Sequence, residues 1–236
     1  MSWSPWGRRW SWNRPDLHPR LRRTMGPTRL PLELSEIVAH LRLDPGAETG
    51  PEQALLTGML TAAVGLLQRH CTYAIMTQDW LLTLHAWPPG YTGLELPYPP
   101  FAELVSVTLS GGPVPVNQFI VEPDDRFPAV MYPVGGHWPT NMSSTWDSNQ
   151  GGSSWDGGAA DWDVANLTPG PLAVGITFRC GREDPADIDP DIKQALLLAI
   201  ATWYENRESS TQFTLTPMVQ TGWDALLVAY RQLGFA

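Results

Sequence analysis

The longest helical pattern of apolar residues lies between residues 189 and 208. Asp189, Pro190 and Asp191 suit a helix start, because a carboxylate caps free amides, proline fits the first helical position and negative charge favours that end of the dipole. The apolar positions that follow recur at helical spacing, and the last turn becomes polar. The pattern predicts a buried helix with a polar end. Its apolar face consists of Ile192, Ala195, Leu196, Ala199, Ile200, Trp203 and Tyr204.

Two further helices are predicted near the start of the chain. Ser35 is a suitable cap for a short helix that ends before the Asp-Pro-Gly sequence at 44–46. A longer amphipathic helix begins at Pro51 and keeps an apolar period of 3.6 as far as His70. Packed against the helix at 189–208, these two predict a small helical bundle built from both ends of the sequence.

Between the helices, alternating apolar and polar residues indicate β-strands. The predicted strands cover residues 80–85, 103–109, 118–122, 129–132 and 172–179. They are expected to form one antiparallel sheet inserted into the helical frame. The predicted fold class is therefore α+β: a small helical bundle of N-terminal helices plus a long C-terminal helix, with an inserted antiparallel β-sheet and long irregular extensions.

Composition and charge divide the chain. Of 236 residues, 23 are proline, 21 are glycine and 12 are tryptophan, and only 17% are charged, which predicts long irregular segments. The net charge is −9, but residues 1–29 contain seven Arg and one Asp, whereas the remainder contains 8 basic and 23 acidic residues. The two parts are expected to face different partners, and an acidic body argues against a generic DNA-binding domain.

Residues 1–29 form a predicted N-terminal arm. Prolines interrupt a run of Trp and Arg side chains, and no apolar periodicity supports a core. Arg and Trp commonly anchor protein interfaces, while stacking and phosphate contacts also suit nucleic acid. Docking onto another protein is the favoured interpretation, with DNA contact as the second. The predicted contact residues are Trp3, Trp6, Arg8, Arg9, Trp10 and Trp12.

Two other segments extend from the predicted core domain at 30–208. Residues 135–170 are rich in Trp, Asp and Gly without periodicity, which predicts a protruding contact loop. Residues 209–236 form a predicted C-terminal arm whose apolar residues, at helical spacing, either fold back on the core or bind a neighbour. These residues are Trp223, Leu226, Leu227, Tyr230, Leu233 and Phe235.

Patterns for catalysis or metal binding are absent from the sequence. Cys71 and Cys180 lack zinc spacing and are too few for a disulfide framework, so both are predicted to be buried thiols. The five histidines form no metal-binding motif, and nucleophile-elbow, P-loop and dinucleotide-binding motifs are missing. Helix capping explains the acidic run at 183–191 better than a calcium site does. We therefore predict no catalysis, no cofactor and no metal.

Membrane insertion and secretion are also not expected. The sequence has no run of 18 or more apolar residues, and its basic N-terminal segment lacks the apolar centre of a secretory signal. The protein is therefore expected to be made in the cytoplasm.

Three parts of the sequence resemble a known family. The run Pro-Asp-Ile-Lys-Gln-Ala at 190–195, which continues into Trp-Tyr-Glu-Asn-Arg-Glu at 203–208, is similar to head-tail connector (adaptor, or head-completion) proteins of long-tailed phages and gene transfer agents. Residues 32–44 resemble the first helix of that family, and residues 78–84 resemble its first long strand. The resemblance covers the predicted core, with 135–170 as an atypical insertion.

This resemblance implies a virion structural protein of the neck between capsid and tail, assembled in the host cytoplasm. Connectors of the family form rings of about twelve copies, which need two different subunit sides. They sit below the portal protein, extend the DNA channel and join the portal to the tail or to the next head-completion protein. The implied portal contact is the C-terminal arm, and double-stranded DNA passes through without sequence-specific binding.

Two other classes of function are also compatible with features of the sequence. Exposed Trp and Asp side chains on a Gly-rich loop also suit a module that binds carbohydrate or a host surface, since sugars stack on aromatic rings and hydrogen-bond to carboxylates. A glycosidase using two carboxylates has the least support, because no motif fixes the pair.

Overall fold

The computed structural model describes residues 19–44, 46–47, 49–88, 93–139, 174–206 and 217–231. Within these residues the fold is α+β, as predicted from the sequence. The helices are α1 (Leu34–Leu41), α2 (Gln53–Cys71), α3 (Pro190–Glu205) and α4 (Pro217–Leu227). The strands are β1 (Arg20–Met25), β2 (Gln78–Leu84), β3 (Leu94–Leu96), β4 (Phe101–Leu109), β5 (Gly112–Val114), β6 (Phe119–Glu122), β7 (Ala129–Pro133) and β8 (Val174–Cys180).

The strands form two antiparallel sheets, whereas the sequence pattern predicts one. The larger sheet has the order β1-β2-β8-β4-β5, and the smaller has the order β3-β7-β6. The pattern misses β3 and β5 because each is only three residues long, too short for an alternation to register. The predicted strands at 118–122 and 129–132 are therefore reassigned to a separate sheet.

Strand β1 lies inside the segment predicted as an N-terminal arm. It pairs antiparallel with β2, with Arg20 opposite Thr83 and Leu21 opposite Leu82. Leu21 packs against the sheet core, while the other five side chains of the strand are exposed. Backbone pairing at a sheet edge needs no apolar pattern, so the sequence gives no signal for it. Residues 20–25 are therefore part of the larger sheet.

The helices build one core. Helix α3 packs against α2, α1 and α4, and its buried face consists of Ile192, Ala195, Leu196, Ala199, Ile200 and Trp203, with Tyr204 partly buried beside them. These are the residues of the apolar face predicted for the helix. Helix α1 begins two residues earlier than a Ser35 cap would allow: Glu33 is the cap, and its amide donates to the Glu36 carboxylate at 2.9 Å.

The sheets enclose a second core. Leu82, Ile176 and Val107 lie in register across β2, β8 and β4 on the inner face of the larger sheet. Leu94 and Met131, paired across β3 and β7, bring the smaller sheet against it. Residues 181–189, which include a 3-10 turn at Pro185–Asp187, connect β8 to α3, so the two cores are joined at the start of that helix.

Candidate assembly surfaces

The described residues contain no cluster suited to metal binding. No group of three or more His, Cys, Asp or Glu side chains in these parts of the chain is arranged to hold an ion, and none of their helices is long and apolar enough to cross a membrane. In the acidic run, Asp184 accepts a hydrogen bond from the Ala186 amide at 3.0 Å and caps its own turn. The carboxylate of Asp189 accepts from the Tyr230 hydroxyl at 2.8 Å.

Both cysteine thiols are buried, free and chemically protected. Burial raises the pKa of Cys71 to about 12, and burial also raises the pKa of Cys180 far above its ordinary value. A thiol with so little thiolate is a poor nucleophile and a poor metal ligand. Neither group offers a reactive centre.

Helix α4 is packed inward. Trp223, Leu227 and Tyr230 belong to the helical core, and Leu226 packs against it partly buried. Their side chains are therefore occupied within the subunit, and the apolar face predicted for the C-terminal arm covers α3. Binding of the C-terminal arm to a portal stays a prediction. It now concerns the exposed surface around these buried side chains. Leu233 and Phe235 lie outside the described residues.

Tyr230 joins four parts of the fold. Its hydroxyl binds Asp189 ahead of α3, its ring meets Tyr73 edge-on with 5.4 Å between centroids, and the Arg126 guanidinium lies 5.7 Å from the ring centroid. Burial, together with the Asp189 carboxylate, raises the pKa of Tyr230 well above its usual range. The phenol therefore stays protonated and remains a donor at neutral pH.

Exposed apolar side chains concentrate on the hairpin formed by β6 and β7. Ile120 on β6 is 55% exposed, and Phe127 in the turn between the strands is 64% exposed. Val116 and Val134, on either side of the hairpin, are also exposed. Of the five most exposed large apolar side chains among the described residues, only Val228, after α4, lies elsewhere. Such a concentration makes the hairpin a candidate contact surface.

The turn of this hairpin is held by an aspartate. Asp124 accepts hydrogen bonds from the amides of Arg126 and Phe127 at 2.7 and 2.8 Å, and these two bonds hold the pKa of Asp124 below its usual value. Asp125 pairs with Arg182 at 3.1 Å. The turn is therefore tied to the body, and Phe127 is presented from a fixed backbone.

The outer face of the larger sheet carries an ion-pair chain that sequence reasoning missed. Arg179 on β8 makes a two-bond contact with Asp79 on β2, at 2.8 and 3.2 Å, and reaches Glu103 on β4 at 3.2 Å. Next to it is an open cavity of about 370 Å³. Alternation on the predicted strands could have put these charges on one face, but it could not have paired strands so distant in sequence. The cavity is lined by Thr28, Arg29, Met76, Thr77, Ala102, Glu103, Arg179, Gly181 and Glu183.

Trp138, at the start of the predicted 135–170 contact loop, is not a surface residue. It is buried in the sheet core and stacks on Trp87 with centroids 4.7 Å apart and planes at 12°. Its ring is therefore unavailable to an external ligand. The loop from residue 140 onward, and the arm residues Trp3, Trp6, Arg8, Arg9, Trp10 and Trp12, lie outside the described residues.

The fold is similar to that of chains in gene transfer agent (GTA) particles. A chain in the neck of an empty GTA particle computed with C6 symmetry matches with a TM-score of 0.66 and 24% identity. Chains in a native GTA virion and in the neck of a native GTA particle computed with C12 symmetry match with TM-scores of 0.64 and 0.62 at 23% and 21% identity. Each match covers 92% of this chain and 97% of the other. No family model and no curated protein sequence matches the chain.

Proposed function

We propose that this protein is a head-tail connector: a virion structural subunit that forms a ring of about twelve copies below a portal protein, in the neck of a phage-like particle. The ring extends the DNA channel and receives the tail or the next head-completion protein. The observation that carries the proposal is the fold shared, along nearly the whole of both chains, with chains of GTA necks.

The charge and surface of the molecule support this role. An acidic body, net −15 outside the first 29 residues, repels the phosphates of DNA that passes through a channel and so avoids retaining it. A basic arm at one end of the sequence and an apolar hairpin elsewhere supply two different surfaces, as a cyclic head-to-tail ring requires. The chemistry available to the described residues is that of association.

The C-terminal arm is the proposed portal contact, in a form that takes account of its packing. Because Trp223, Leu227 and Tyr230 hold α4 on the core, the parts available to a portal are the exposed Val228 and the residues after Arg231, which include Leu233 and Phe235. Helix α4 then anchors this short C-terminal segment to the core, and the segment contacts the portal.

The test is the mass of the purified protein by analytical ultracentrifugation, alone and with its cognate portal. A stoichiometric complex is expected, with about twelve copies of this protein on each portal assembly. A chain truncated after Arg231 should keep its fold and lose most of its attachment, because it lacks the proposed contact residues that follow Arg231 and keeps those that pack α4 on the core. Folded protein that never associates with the portal at any salt concentration overturns the connector role; normal attachment of the truncated chain overturns the tail contact alone.

A further inference from the structure

The outer face of the smaller sheet carries two ordered rows of side chains. In the first row, Val130 on β7 stands between Glu95 on β3 and Glu122 on β6, because both glutamates pair with it in register. In the second row, Tyr132 on β7 pairs with Ile120 on β6. Val130, Tyr132 and Ile120 thus form an apolar strip, and a carboxylate lies on either side of it at Val130.

This face is open to solvent and short of positive charge. Ile120 and Glu122 are exposed, and Val130, Tyr132 and Glu95 are each partly exposed. Among the described residues, neither glutamate forms an ion pair with a basic side chain. Burial raises the pKa of Glu95 with no cation to offset it, so this carboxylate lies in a site that favours a positive partner.

We infer that this face binds residues 1–18 of a second copy of the chain. The segment is basic and aromatic, with Arg8, Arg9 and Arg14 against a single Asp16, and with four tryptophans. Its chemistry complements the face: guanidinium groups suit the two carboxylates, and indole rings suit the strip between them. In an extended segment, side chains two residues apart share a side, so Trp10 and Trp12 can lie together on the strip while Arg9 turns the other way.

The length of residues 1–18 and the symmetry of a ring both allow a neighbouring subunit to supply this segment. The two glutamates are separated by two strand spacings, about 10 Å, a distance that an arginine-tryptophan segment spans within a few residues. Eighteen extended residues reach at most about 60 Å from β1, enough to cross to an adjacent subunit. The inference rests on the proposed function, because a ring needs one side that gives the arm and a different side that receives it.

Disulfide trapping between two full-length variants tests the inference. One variant carries Trp10→Cys and the other Ile120→Cys; the native thiols are buried and protected, so they do not compete. Mixed and oxidised, the pair should form a covalent heterodimer of about twice the 26.1 kDa subunit mass. The matched control replaces Ile120→Cys by Val105→Cys, which is 40% exposed but lies on β4 in the larger sheet.

Charge exchange adds a second readout. Glu122→Arg in the receiving chain should lower the yield of heterodimer several-fold, and Arg8→Glu in the donating chain should restore part of it, because Arg8 shares the side of Trp10 in an extended segment. Because Glu122 is exposed, neither change removes a core contact, and circular dichroism checks that both variants are folded.

The outcomes separate this inference from the connector role. Heterodimer at Ile120 and not at Val105, reversed by charge exchange, supports docking between copies. Equal trapping at both positions, or no trapping in a ring assembled on the portal, overturns it while the connector role stands. Trapping in protein that never joins a portal supports the docking and counts against the connector role. A Trp10→Cys, Ile120→Cys double variant that closes only within monomers assigns the face to the chain's own arm and overturns the second copy as occupant.

Discussion

The hydroxyl group of Tyr230 donates a hydrogen bond of 2.8 Å to Oδ2 of Asp189, and this bond fastens the segment after α4 to the residue before α3. Asp189 holds the N-cap position of α3, yet its side chain makes no capping bond there. The sequence pattern predicts the capping role from the Asp-Pro start. The carboxylate instead serves a long-range contact, 41 residues away in sequence.

Replacing Tyr230→Phe removes this bond and keeps the ring. A hydrogen bond to a carboxylate contributes about 1.5–3 kcal/mol, so the free energy of unfolding should fall by about that amount. Urea unfolding followed by tryptophan fluorescence measures it. Val228→Ala, two residues away and exposed, is the control and should stay within about 0.5 kcal/mol of the parent. Equal stability of the Tyr230 variant and the parent would show that the bond contributes nothing.

Truncation after Ser210 should destabilise the whole domain. It removes Trp223, Leu227 and Tyr230 from the helical core, and loss of a buried Trp or Leu side chain alone costs about 2–5 kcal/mol. The sum approaches the entire stability of a typical domain, about 5–15 kcal/mol. Thermal unfolding by circular dichroism should therefore show a lost or strongly lowered transition. If the truncated chain melts like the parent, α4 is a dispensable arm.

Trp138→Ala tests the second core. The ring stacks on Trp87 and lies near Phe119, so its loss should cost about 3–5 kcal/mol through the cavity it leaves. Phe127→Ala on the hairpin turn also removes an aromatic ring, but from an exposed site, and should change the free energy of unfolding by less than about 0.5 kcal/mol. Urea unfolding of both variants makes the comparison, and similar losses in the two would contradict it.

The contrast between α3 and Trp138 explains how far the sequence predicts this fold. Sixteen residues of continuous period identify α3 and its buried face, because local spacing alone determines which side of a helix is apolar. Trp138 sits at the edge of a Gly- and Trp-rich stretch, where composition indicates a surface loop. Trp138 is buried because it stacks on Trp87, which lies 51 positions earlier. The local spacing of apolar residues cannot predict a contact between residues so far apart in sequence. Arg179 and Asp79 are a similar case, since only the strand order brings them together.

The two thiols should resist alkylation until the protein unfolds. With a pKa raised to about 12, Cys71 is thiolate at roughly one part in ten thousand at pH 8, and Cys180 is less ionised still. Native protein treated with iodoacetamide at pH 8 should gain no label over hours, whereas protein in urea should gain two. Mass spectrometry counts the labels. Rapid labelling of the native chain would show that one thiol is exposed by local opening.

Glu95→Gln should stabilise the protein at neutral pH and leave it unchanged in acid. Burial raises the pKa of Glu95 above the ordinary value of a glutamate, 4.5, so the folded state binds more protons than the unfolded state around that pH. Stability therefore falls as the pH rises from 4.5 through the folded pKa, and the glutamine variant escapes that fall. Urea midpoints measured at pH 4 and pH 7 should diverge only at pH 7, with Glu122→Gln, on the same face but exposed, as the control.

If the arm of a neighbour supplies an arginine to this carboxylate, assembly should lower the pKa of Glu95 and reverse the sign of the effect: in the assembled ring, Glu95→Gln should weaken association at pH 7. A glutamine variant that is less stable than the parent as a monomer at pH 7 would contradict the desolvation argument.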